Sequence, residues 1–134
     1  MHIHIHDSLT LAEIKKVFSN FYPYLKLEFF STPHQPFGSS VQKNELATLL
    51  AIAAVKQTHT DGIIDIQPLQ TVNKLEQEFQ QRFGLPVQVY YQSKGGWIQT
   101  TGLDTLTLKE LNEISRNDSD SYIVEEEASE DDTT

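Results

Sequence analysis

One pattern limits the folds open to this chain more than any other: a strand–helix–strand unit that occurs twice. Placing Ile5 on Ile66 also superposes Thr10 on Thr71, Leu11 on Val72, Ile14 on Leu75 and Phe18 on Phe79. One extra residue near Pro86 then sets Leu27 and Phe29 opposite Val89 and Tyr91. Each copy begins with apolar residues at period two, passes through a threonine into helical spacing, and returns to period two. Helices of this kind bury one stripe, and strands bury one face. The repeat therefore predicts an α+β chain with a ferredoxin-like two-layer sandwich, its two strand–helix–strand units sharing one sheet, plus a C-terminal hairpin strand and a short helix.

The individual elements follow from local chemistry. His2 to His6 alternates strictly, with Ile3 and Ile5 on one face and three histidines on the other. Thr10-Leu-Ala-Glu13 has the form of a capping box, and Leu11, Ile14, Val17, Phe18 and Phe21 continue it as a helix that Pro23 closes. Leu25 to Phe30 alternates again. Ser31 to Ser40, with Pro33, Pro36 and Gly38, is expected to be a loop, and Asn44 to cap a helix reaching about Lys56. Ile63 to Gln67 is apolar on both sides at Ile63 and Ile64, as a central strand would be. Thr71 caps the second helix, with Val72, Leu75, Phe79 and Phe83 as its stripe, Glu76, Gln77, Gln80 and Gln81 expected to face water, and Gly84 as its stop. Val87 to Gln92 and Trp97 to Thr101 form a hairpin across Ser93-Lys94-Gly95-Gly96. Thr107-Leu-Lys-Glu110 is another capping box, with Leu108, Leu111 and Ile114 expected inward.

Composition restricts function more than it suggests one. Absence of cysteine excludes disulfide scaffolds, Cys-ligated zinc and thiol catalysis. The longest apolar run, Leu49 to Val55, is too short to cross a bilayer. Eight acids and no Lys or Arg lie between Asn117 and Thr134. Taking those eight from the total of 19 leaves 11 acids against 10 bases in the rest. The expected organisation is one α+β domain over residues 1–116 and a disordered acidic tail over 117–134. Within that tail Tyr122, Ile123 and Val124 are the one segment able to dock as a strand on an open sheet edge. A neutral body and an acidic end argue against nucleic acid and against anionic membrane. The beginning of the chain reads as structure, not as a targeting segment, so a cytoplasmic location is the expectation.

A stretch in the last third of the body carries a resemblance. Thr71-Val72, Leu75-Glu76, Phe79, Phe83-Gly84-Leu85-Pro86-Val87-Gln88-Val89, then Trp97, Thr100-Thr101, Asp104, Thr107-Leu108, Glu110 and Asn112 are similar to a pattern of small bacterial α+β proteins with no assigned role. The resemblance implies an autonomous small α+β domain and supplies no activity or site.

Three sets of residues are candidates for function. Alternate side chains on a strand lie about 6.6–7 Å apart, so a His-x-His pair drawn from His2, His4 and His6 can converge on one Zn²⁺ or Ni²⁺. All three span about 13 Å, too far for a single ion, so a third ligand must come from a neighbouring strand, with Glu28 or Asp65 as the available acids. The second set is a polar sheet face, for which Lys26, Glu28, Phe30, Asp65 and Tyr90 are the expected partner-binding residues. The third is His34, His59, Asp61, Ser39 and Ser40, which lack a nucleophile elbow or any spacing that would assemble a triad. Lys94-Gly95-Gly96 precedes a strand instead of a helix, so it is a turn and not a phosphate loop. Together these predict a non-catalytic protein-interaction or small structural domain, with no cofactor, an unidentified protein partner, and self-association through a sheet edge as one mode. The alternative is a metal-binding protein or metal-dependent enzyme built on the N-terminal histidines.

Overall fold

A computed structural model describes residues 1–31, 51–52 and 61–118, and every structural statement below concerns those residues. In chain order they form β1 (His2–Ile5), α1 (Leu11–Phe21), β2 (Leu25–Phe29), β3 (Gly62–Asp65), α2 (Val72–Phe83), β4 (Val87–Ser93), β5 (Gly96–Gln99) and a last helix, α3, over 108–118. This is an α+β chain in two layers, antiparallel strands against helices. All but the first residue of the expected loop over 31–40, most of the helix over 45–56, His34, His59, Ser39, Ser40 and the Tyr122–Val124 segment lie outside the described residues. Of that helix, Ala51 and Ile52 are seen: Ala51 bridges to Thr10, and Ile52 is buried.

Threonine starts all three helices. Thr10 Oγ1 accepts from the Glu13 amide at 3.2 Å, and Thr71 Oγ1 from the Lys74 amide at 3.2 Å. At α3 the exchange is reciprocal, with the Glu110 amide 3.1 Å from Thr107 Oγ1 and the Thr107 amide 3.0 Å from Glu110 Oε1. α2 stops where Gly84 turns left-handed (φ 64°), which frees its amide for Gln80 O and lets Leu85 N reach Phe79 O.

The strands divide into two hydrogen-bonded ladders, β1–β3 and β2–β4–β5, all antiparallel, where a single sheet was expected. The register explains the division. Under the repeat that sets Ile5 on Ile66, Ile3 corresponds to Ile64, and these two are cross-strand partners. Leu27 corresponds to Val89, and they are partners too. Each strand therefore pairs with its own counterpart, and both ladders turn about a local pseudo-two-fold centred on an equivalent pair. The two units clasp each other instead of lying side by side.

Burial follows the repeat closely. Ile5 and Ile66, Leu11 and Val72, Ile14 and Leu75, Phe18 and Phe79, and Leu27 and Val89 are all buried in one cluster. Phe29 packs edge-on against Phe79, ring centres 5.8 Å apart. Four residues depart from expectation. Ile63 is exposed because β3 has β1 on one side only among the described strands. Val17 and Phe21 are exposed on α1. On α3 the inward stripe is Leu108, Leu111 and Ser115, an i, i+3, i+7 set, so Ile114 faces out. α3 also continues to residue 118, two residues past the expected end of the body.

Candidate functional site

The β4–β5 hairpin turns through Lys94 (φ 50°) and Gly95 (φ 84°), the two successive positive φ values of a type I′ turn. Its register pairs Ser93 with Gly96, Gln92 with Trp97, Tyr91 with Ile98 and Tyr90 with Gln99. In a two-residue hairpin the pair flanking the turn is hydrogen-bonded and the pairs alternate thereafter. Trp97 and Gln99 thus direct their backbone N–H and C=O groups away from β4. Among the described residues no strand takes up that outer side. Gly96, Trp97, Ile98 and Gln99 carry no charge, and Trp97 and Ile98 are 41% and 45% exposed. The Lys26 ammonium lies 5.0 Å from the centre of the Trp97 ring and 5.2 Å from that of Tyr90, holding both rings at the rim of the polar face.

The five residues expected to form a partner-binding face do not share one. Asp65 is on β3 in the first ladder, whereas Lys26, Glu28 and Tyr90 belong to the second. Glu28 is buried between Lys15 Nζ of α1 and Lys26 Nζ, the latter at 3.2 Å. Phe30, whose amide bonds Pro86 O, is buried as well. Lys26 and Tyr90 remain half-buried at the surface, next to β5.

The three histidines separate into two groups. His2 Nδ1 is 3.4 Å from Asp65 Oδ1 across the β1–β3 ladder. The Gln67 amide bonds both Asp65 oxygens, at 2.7 and 2.8 Å. That bond first, then His2 and the N-terminal ammonium, holds the Asp65 carboxyl below the usual carboxylate range. His4 and His6 instead lie together, ring centres 5.2 Å apart and planes at 56°. His6 Nδ1 also meets Ser8 Oγ at 2.9 Å.

A cluster that sequence reasoning missed sits beside the hairpin. Glu76, Gln88, Thr100 and Asp104 are all fully buried. Glu76 Oε2 accepts from the Val89 amide at 2.8 Å and from Gln88 Nε2 at 3.1 Å. Gln88 Nε2 continues to Thr100 Oγ1 at 3.0 Å, and Thr100 Oγ1 donates to Val89 O at 3.1 Å. β4 is longer than β5, so the outer edge of Val89 has no strand beside it, and Glu76 with Thr100 completes it. Burial, with the Asp104 carboxyl adding to it as a like charge and hydrogen-bond partner, pushes the Glu76 carboxyl up to about 9. Glu76 is therefore protonated at neutral pH, and the two carboxyl groups share a proton. Such a dyad resembles acid–base machinery, yet both members are sealed from solvent and line neither of the two grooves described below. Its evident work is to close a sheet edge. Helical spacing put Glu76 on the water-facing side of α2, and the structure corrects this: its carboxyl is drawn inward by the Val89 amide and Gln88.

Two of the surface grooves are lined by described residues. One of about 500 Å³ lies between the end of α1 and α3, lined by Phe21, Tyr22, Leu69 and Lys109 among others. A second of about 410 Å³ runs from β3 to α2 between Asp65, Lys74 and Arg82. No group of three His, Asp or Glu side chains converges on a point among the described residues, and no described helix is long and apolar enough to cross a membrane. Compared with family models, with curated proteins and with solved structures, the chain matches none of them.

Proposed function

We propose that the chain is a non-catalytic protein-interaction module whose docking element is the outer edge of β5, which no described strand occupies. The occupant is an extended segment of a partner protein that adds as a further strand. The observation that carries this reading is an uncharged edge with outward backbone groups at Trp97 and exposed apolar side chains on both faces. Edge strands that must stay monomeric are usually protected by Lys, Pro or a bulge, and β5 has none of these. Ladder hydrogen bonds would supply affinity, and alternate side chains selectivity. One face of the incoming strand meets Ile98 and Tyr91. The other meets Trp97 and the Lys26 ammonium, with Lys94 at the turn, which favours a segment apolar on one side and acidic on the other.

The single tryptophan provides the measurement, since Trp97 lies on β5 itself. Peptides selected from a displayed random library against the full chain are expected to alternate in this way, to change Trp97 emission and to protect the Trp97 amide from exchange. Ile98→Lys puts a charge on the exposed apolar side of β5, so it should weaken the selected peptides by about tenfold without lowering the melting temperature by more than a few degrees. Peptides that bind Ile98→Lys undiminished, or that protect residues elsewhere, overturn the reading. So does a selection that enriches nothing.

A further inference from the structure

We propose that His4 and His6 form a two-imidazole site for a divalent transition ion of the Zn²⁺, Ni²⁺ or Cu²⁺ class, and that His2 takes no part in it. Alternate side chains on a strand start about 6.6–7 Å apart. These two rings have closed to 5.2 Å between centres. An imidazole nitrogen binds zinc at about 2.0–2.1 Å, which puts the ring centre ~3.2 Å from the ion, and two such rings at a tetrahedral angle stand ~5.2 Å apart. The pair is thus already at the separation that a shared ion requires. Ser8 Oγ engages His6 Nδ1 at 2.9 Å, which fixes the ring and leaves Nε2 as the ligand, the part an outer partner plays at a histidine metal site. His4 is exposed and His6 half-exposed, so an ion has access from solvent. His2 is drawn to Asp65 on the neighbouring strand instead.

With two protein ligands the ion keeps open positions, held by water or by a carboxylate or imidazole from outside.

The test uses the full, tag-free chain stripped with a chelator and titrated with zinc chloride in a calorimeter. One ion per chain should bind saturably. His4→Ala and His6→Ala should each weaken it about tenfold or more, Ser8→Ala several-fold, and His2→Ala less than twofold. The Cu²⁺ adduct should give an electron paramagnetic resonance spectrum with two nitrogen ligands. Absence of saturable binding, a single-nitrogen spectrum, or a loss on His2→Ala equal to that on His4→Ala each overturns the proposal. Melting curves of the metal-free variants, expected to match the parent because the side chains are at the surface, separate loss of ligand from loss of fold.

Discussion

Glu76 illustrates how a single buried carboxyl can serve structure by remaining uncharged. Its Oε2 takes the Val89 amide and the Gln88 side chain, so the proton belongs on Oε1, towards Asp104. The unfolded carboxyl ionises near 4.5 and the folded one near 9. Between those values the folded state holds a proton that the unfolded state has released. This group's contribution to stability is therefore complete below pH 4.5, declines as pH rises, and is gone above about 9. Glu76→Gln keeps an acceptor for Val89 and offers an amide to Asp104 with nothing to titrate. Denaturant titrations across pH 5 to 9 should show wild-type stability falling relative to Glu76→Gln, and parallel curves would refute the assignment. At pH 5, where the contribution is nearly complete, Glu76→Ala should cost about 1–3 kcal/mol, because the Val89 amide loses its acceptor.

Elements whose limits are set by local chemistry were readable in the sequence, and elements limited by neighbours were not. The three threonine caps, the Gly84 stop and the Lys94-Gly95 turn all depend on residues within four positions, and each lies where the sequence put it. Gly84→Ala isolates one such dependence: no atom crowds the added carbon, so only the left-handed backbone opposes it. A loss of about 1 kcal/mol is expected, seen as a lower denaturation midpoint at unchanged slope. A neutral result would mean that the helix end relaxes to another cap. The candidate sites were legible to a lesser degree. Alternation located His4, His6 and Tyr90 on outer faces, but Glu28 and Phe30 share that parity and are buried. What covers a sheet face comes from distant chain, here Lys15 thirteen residues before Glu28. For the same reason Glu76, expected to face water, gave no sign of the strand end it completes.

At the scale of the molecule, two copies of one unit are joined through counterpart strands, and neither ladder is complete by itself. A two-stranded ladder is marginal in water, so β1–β3 depends on the apolar layer it shares with β2–β4–β5. That layer is continuous: Ile3, Ile5 and Ile64 from the first ladder join Leu25, Leu27 and Val89 from the second around Phe18 and Phe79. Separate melting of either ladder would expose this shared surface to water, which couples them into one cooperative transition. Ile64→Ala tests the coupling, since Ile64 is fully buried in the first ladder and Trp97 reports from the far edge of the second. Loss of the buried side chain should lower stability by about 2–5 kcal/mol. The Trp97 emission transition should move by that whole amount and coincide with the loss of far-ultraviolet circular dichroism. A Trp97 transition that stays in place while the β1–β3 amides exchange freely would mean that the ladders fold independently, and that the paired repeat describes topology without energetic union.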